Sequence, residues 1–140
     1  MNDDHFLRAL EACTLAPAAF NHAAHLRAGF LYLQRQDFPE AQDFPEALGA
    51  MRRAIKAFAT SIGKDGLYHE TITTAFMTLI NARLAVEPAG VAWDDFAARH
   101  RDLFDGTALA QHYSRERLQH PLARRIFLLP DRVPGAKDAA

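Results

Sequence analysis

The sequence contains a single cysteine, Cys13, among its 140 residues. One thiol cannot form an intramolecular disulfide or a multi-cysteine zinc site, and sparing use of cysteine is typical of proteins in a reducing compartment. The opening segment MNDDHFLRA also has acidic residues where a secretion signal carries positive charge. We therefore predict a cytoplasmic protein without a signal peptide.

Long apolar runs and an excess of one charge are both absent. No stretch reaches the roughly eighteen consecutive apolar residues that a membrane span needs. The 16 basic residues are offset by 17 acidic ones, giving a formal net charge of −1, although five arginines between residues 115 and 132 make the C-terminal quarter locally basic. A balanced charge favours neither a polyanion nor a lipid surface as partner. We expect no nucleic acid and no membrane.

Alternation of period two is also absent over any useful length, so the sequence predicts an all-α protein. Apolar residues recur instead at three- and four-residue steps, for example at Leu48, Met51, Ile55, Phe58 and Ile62. A chain of 140 residues with 49% hydrophobic residues can bury one core. We predict a single helical domain over residues 1–140, a compact antiparallel bundle of five or six helices, with an N-terminal helix within 1–16 and a tail at 130–140.

Capping residues, prolines and glycines set the predicted helix boundaries. The first helix is capped by Asn2 or Asp3. The second begins near Pro17 or at His22 and runs to about Gln36. The others cover about residues 45–62, 68–87, 92–104 and 108–118, the last with a further turn to 127. Between the second and third helices, DFPEAQDFPEA repeats five residues, and we interpret the extra copy as a loop extension.

Two segments place polar side chains at the head of apolar helices. In FNHAAHLRAGFLYL (20–33), His22 and His25 share a helix face with Gly29, a residue that permits close approach or leaves space. In GLYHETIT (66–73), His69 falls on the apolar side of the most apolar helix, and Glu70 lies about 100° further round the axis. Burying histidine without a partner is costly, so both segments indicate a polar network or a ligand site.

If the two helix ends meet, three imidazoles surround one point. We predict that His22, His25 and His69 bind a divalent metal (zinc, iron or manganese) and leave positions open for water and a small-molecule substrate. Glu70 is then a fourth ligand or the general base of a metal-assisted reaction. Tyr68 is the second candidate catalytic residue, although a half-buried aromatic at a helix start is its commoner role. The spacing differs from the His-Glu-x-x-His of metalloproteases.

Other interpretations fit the same residues. The histidines form a buried polar cluster with a carboxylate such as Glu70, or they line a ligand pocket without metal. The segment FLYLQRQDFPEAQDFPEALGAMRRAIKAF has the spacing of a tetratricopeptide-type hairpin, without a second copy about 34 residues away, and favours a non-catalytic interaction or scaffold protein. A ligand site predicts histidines converging on a concave pocket. A scaffold predicts internally satisfied histidines and an exposed apolar groove.

Three segments together resemble a family of small, uncharacterised bacterial helical proteins: FNHAAHLRAGFLYL, GLYHETITTAF and HYSRERLQHPLARRIFLLPD. The resemblance spans Phe20 to Asp131. It implies that the signature segments include His22, His25, Leu26, Arg27, Tyr68, His69, Glu70 and Thr71, and it implies no particular reaction, cofactor or partner. The duplicated Asp-Phe-Pro-Glu-Ala departs from the single connection expected there.

Overall fold

Eight α-helices make up the regular structure in the computed structural model, which describes residues 1–35 and 43–134. No strand occurs in these residues, and the all-α prediction is confirmed. The helices are α1 (Asp3–Glu11), α2 (His22–Gln34), α3 (Phe44–Ser61), α4 (Glu70–Leu84), α5 (Trp93–Arg99), α6 (Thr107–Ala110), α7 (Arg115–Gln119) and α8 (Pro121–Arg125). None of them is long and apolar enough to cross a membrane. Most of the repeated DFPEA segment and the end of the predicted tail lie outside the described residues.

Asparagine side chains fix where the first two long helices begin. The Asn2 side chain accepts a hydrogen bond from the His5 N–H at 2.8 Å, and Asn21 accepts one from the Ala24 N–H at 2.9 Å. Each bond satisfies a backbone donor that the first helical turn leaves unpaired. Of the two predicted starts of α2, His22 is therefore correct, with Asn21 as its cap. Pro17 begins a separate 3-10 turn.

Helices α2, α3 and α4 form the centre of the fold. The end of α2 at Leu33 lies beside the start of α3 at Phe44 and the end of α4 at Leu84. The start of α2 at His22 lies beside Ile72 in the first turn of α4. Helices α2 and α4 therefore run parallel, and α3 runs antiparallel to both. This arrangement brings the N-terminal ends of α2 and α4 together.

The C-terminal quarter contains more and shorter helices than predicted. The expected helix over 108–118 is divided, because Ser114 caps a new helix by accepting the Arg117 N–H at 3.1 Å. Pro121 then starts α8, since proline cannot donate a backbone hydrogen bond inside a continuing helix. The expected helix over 92–104 is also interrupted, at His100. The division of the last predicted helix into α6, α7 and α8 raises the helix count above the predicted five or six, whereas the interruption at His100 is followed by a 3-10 turn.

Gly29 brings α2 and α4 into close contact. A Cβ atom at this position would lie 2.8 Å from the Met77 sulfur and 3.3 Å from Cδ1 of Ile80. Close approach, rather than empty space, is thus the reason for glycine here. Beyond this contact, Phe30 of α2 packs against Phe96 of α5 with ring centroids 4.9 Å apart. Trp93 and Phe104 complete what we call the aromatic cluster.

Candidate functional site

His22 occupies the first position of α2 and bonds across the fold. Its Nε2 lies 3.0 Å from the carbonyl oxygen of Leu103. A carbonyl can only accept, so Nε2 carries the proton, and Nδ1 of the neutral ring keeps its lone pair. The edge of the ring packs on Phe76, with centroids 5.2 Å apart. His22 is thus held in place by one nitrogen, and the other remains an acceptor.

His25 lies one turn further along α2 and is stacked on Phe20, with ring centroids 3.8 Å apart. Its Nδ1 donates to the Asn21 carbonyl oxygen at 2.8 Å. Burial lowers the pKa of the His25 imidazole below its ordinary 6.5; the Asn21 bond opposes the shift, and His22 adds to it. The ring is therefore neutral at pH 7, and its Nε2 keeps a lone pair.

His69 differs from the other two because both of its nitrogens are engaged. It precedes α4 as the capping residue, and its Nδ1 accepts the Ile72 N–H at 3.0 Å. Its Nε2 donates to the Leu118 carbonyl oxygen at 2.9 Å, and the residue is 9% exposed. His69 therefore joins the start of α4 to α7. In this arrangement neither nitrogen has a lone pair left for a metal.

Glu70 is paired with an arginine rather than with a histidine. Both of its carboxylate oxygens accept from Arg52 of α3, at 2.9 and 2.8 Å. The Tyr68 hydroxyl donates to the same carboxylate at 2.6 Å. Burial by itself raises the pKa of Glu70, but the bonds from Arg52 and Tyr68 outweigh it and hold the pKa below its ordinary 4.5. Burial and the Glu70 bond raise the pKa of Tyr68 to about 12, so the phenol stays protonated.

Thr71 anchors the extended segment that follows α8. Its side chain is fully buried, donates to the Ile126 carbonyl oxygen at 2.8 Å and accepts the Leu128 N–H at 3.0 Å. Tyr113 holds the same segment by donating to the Leu128 carbonyl oxygen at 2.7 Å. Side chains thus form the hydrogen bonds to this segment's backbone that a neighbouring strand would form in a sheet.

A cavity of about 340 Å³ lies between the starts of α2 and α4 and the middle of α3. Its volume falls within the range of small-molecule pockets, roughly 300–1,000 Å³. Most of its wall is aliphatic or aromatic, and among the described residues no aspartate, glutamate, lysine or arginine lines it. The lining consists of Phe20, Asn21, His22, His25, Leu26, Met51, Ile55, Leu67, Tyr68, His69, Ile72, Thr73, Phe76, Met77 and Ile80.

Four of the five predicted site residues line this cavity: His22, His25, His69 and Tyr68. The fifth, Glu70, lies behind Tyr68 and is bound to Arg52. Within residues 1–35 and 43–134, no group of three or more His, Cys, Asp or Glu side chains is placed to hold a metal ion. The three-histidine metal site and the catalytic roles of Glu70 and Tyr68 stay predictions.

The sequence did not point to Arg52 as the partner of Glu70, nor to the anchoring role of Thr71. Arg52 stands 18 positions before Glu70, and no local spacing connects them. Thr71 was named only as part of the segment GLYHETITTAF, and no local pattern indicated that its hydroxyl is the point at which the C-terminal segment attaches. The run Tyr68 to Thr71 therefore has a structural role in joining α3, α4 and the C-terminal quarter.

Comparison of the chain with protein-family models, with curated proteins and with solved structures finds no match.

Proposed function

We propose that this protein binds a small organic molecule in the cavity between α2, α3 and α4, with the apolar part of the ligand enclosed. The observation that carries the proposal is the cavity itself: a mainly apolar space bordered by fixed polar groups. A concave space of this volume with a mainly apolar wall and a few placed polar groups is the usual form of a small-molecule site.

Two imidazole nitrogens supply the polar contacts for such a ligand. His22 and His25 are each held by one nitrogen, and the second nitrogen of each is a hydrogen-bond acceptor. Because burial keeps His25 neutral at pH 7, its free nitrogen accepts from a hydroxyl or an amide N–H. The Thr73 hydroxyl, also in the wall, is hydrogen-bonded to Tyr68 and keeps lone pairs that accept from a ligand.

Titration calorimetry with decanol, a neutral alcohol with one hydrocarbon chain, tests the proposal. We expect the wild-type protein to bind decanol and Thr73→Phe to bind it at least about tenfold more weakly, because the added ring fills the cavity. Thr78→Phe is the matched control, since Thr78 is exposed on the same helix and lies outside the lining. Equal binding by the two variants, or no binding by the wild type, overturns the proposal.

A second candidate function is divalent-metal binding by His22 and His25 alone. The uncommitted Nδ1 of His22 and Nε2 of His25 favour it, because neutral imidazole nitrogens are common metal ligands. Plasma mass spectrometry of untagged protein, after exposure to zinc, iron or manganese, tests it. We expect metal to be lost in His22→Ala and His25→Ala and retained in His69→Ala. Loss in all three variants would favour the three-histidine arrangement, and no metal in the wild type would reject both.

A further inference from the structure

A second cavity adjoins the first near the C-terminal end of α3 and the segment that connects α3 to α4. It measures about 350 Å³ and is lined in part by Pro17, Phe58, Ile62 and Lys64. Five residues line both cavities: Phe20, His25, Ile55, Leu67 and Tyr68. The stacked rings of Phe20 and His25 therefore stand between the two spaces. An occupant that uses both is elongated rather than compact.

The walls of the two cavities differ in charge. In the part of the chain that the structure describes, the first has no charged side chain in its lining, whereas the second includes the exposed Lys64. Lys56 lies near by, with its Nζ 4.9 Å from the centre of the Tyr68 ring. Arg124 reaches the same place from α8, donating to the Leu67 carbonyl oxygen at 3.0 Å. Three cationic side chains thus surround the residues that the cavities share.

The carboxylates near these cations are too few to balance them, so the margin of the two cavities carries net positive charge. Glu70 is paired with Arg52 and also interacts electrostatically with Lys56, and Asp65 stands in the exposed turn beside Lys64, so two carboxylates face the four cations Arg52, Lys56, Lys64 and Arg124. Leu67, at the centre of the group, is 60% exposed, so the shared wall reaches the solvent. An uncharged apolar interior with a cationic, open margin is complementary to a molecule with a hydrocarbon body and one anionic end.

We propose that the ligand of this site is an anionic amphiphile, a hydrocarbon chain with a terminal acid group, whose chain enters the first cavity and whose acid group lies beside Lys64 and Lys56. This inference rests on the proposed function and names its ligand class. Burying the chain removes apolar surface from water, and the acid group keeps its hydration at the margin while it gains two cations.

Calorimetry with decanoate and decanol, which differ only at the end group, separates the two proposals. We expect decanoate to bind the wild type about tenfold more tightly than decanol, and the double variant Lys56→Gln/Lys64→Gln to bind the two probes with similar affinity, mainly because its affinity for decanoate falls. Arg101→Gln, which removes an exposed cation elsewhere, keeps the preference. Added salt should reduce the preference, because charges at an open margin are screened.

The outcomes are distinct. If both probes bind equally and the lysine variant changes neither, the inference on ligand class is wrong and the proposed function stands. If neither probe binds, or Thr73→Phe leaves both affinities unchanged, the proposed function is wrong as well. Circular dichroism of each variant confirms that it is folded before it is titrated.

An acid on a hydrocarbon chain occurs as a free acid or as part of a membrane lipid. Sedimentation with phosphatidylglycerol vesicles distinguishes these sources. Co-sedimentation that requires Lys64 and is lost in Thr73→Phe assigns the lipid. Decanoate binding without co-sedimentation assigns the free acid.

Discussion

The two sides of the contact between α2 and α4 at Gly29 differ in how completely side chains fill the space. On one side the aromatic cluster fills the space between α2 and α5, where Phe30 and Phe96 are at most 1% exposed. On the other side the starts of α2 and α4 border a cavity, although large apolar residues such as Phe76 and Met77 are available to fill it. Cavities lower stability, because their lining lacks contact partners. The contrast is therefore between a tightly filled contact and a part-open apolar cavity, which by our proposal takes a ligand.

Removing one phenylalanine from each region gives the largest expected effects. Phe96→Ala should lower the free energy of unfolding by about 4 kcal/mol, because it removes a fully enclosed ring from the aromatic cluster. Phe76→Ala should cost about 2 kcal/mol, since the Phe76 ring already borders empty space on one side. Urea denaturation measures both values. Equal losses would contradict the distinction between the two regions.

Thr71→Val tests how the C-terminal segment is attached. The change keeps the shape of the side chain but leaves the Ile126 carbonyl and the Leu128 N–H without their partner, at a cost of about 2 kcal/mol. Hydrogen exchange should show faster exchange of the Leu128 amide. Thr78→Val, at an exposed position of the same helix, should change neither quantity by a comparable amount. An unchanged Leu128 amide in Thr71→Val would show that other contacts hold the segment.

Two glycines on central helices should respond with opposite signs. Alanine at residue 29 places its methyl group 2.8 Å from the Met77 sulfur, and we expect a net loss of about 1 kcal/mol after the gain in helix propensity. Alanine at residue 49 meets only the mobile end of Arg53, at 3.3 Å, and should stabilise α3 by about 0.5 kcal/mol. Thermal unfolding of the two variants checks the sign. Stabilisation by Gly29→Ala would show that α2 and α4 are not in close contact there.

The smallest expected effect is the pH dependence contributed by Glu70. Because its pKa is lower in the folded protein than in the unfolded chain, its pairing with Arg52 stabilises the fold fully above pH 4.5 and loses that contribution as the pH falls through the folded value. The pair is partly exposed, so we expect less than about 1 kcal/mol. Glu70→Gln should flatten the decline in stability on acidification. Glu46→Gln, at an exposed position of α3, should leave the decline as it is.

Local patterns were sufficient to predict the long helices. The positions of α1 to α4 follow from apolar periodicity and from caps such as Asn21, because both signals act within a few residues. The short C-terminal helices were harder, since the apolar pattern continues through Ser114 and Pro121 while the backbone does not. Ser114 and Pro121 were signals for a break, but the spacing of the apolar residues by itself favoured one longer helix.

The site was predictable only in its location. The sequence placed polar side chains at the N-terminal ends of two helices and predicted that these ends meet. His22, His25 and His69 do line one cavity. Their partners were not predictable, because His69 bonds to Leu118 and Glu70 to Arg52 across long sequence separations. Histidine is also a less usual capping residue than serine or aspartate, so the position of His69 before α4 gave no clear signal.

The methionines offer the most direct test of the central claim that the cavity takes a ligand. Met51 and Met77 line it, and Met1 is 73% exposed, so three labelled methyl groups report on the cavity and on the surface in one NMR spectrum. On addition of decanoate we expect the Met51 and Met77 signals to shift and to saturate together, while Met1 stays in place. Unmoved Met51 and Met77 signals, or equal shifts of all three, would contradict the account.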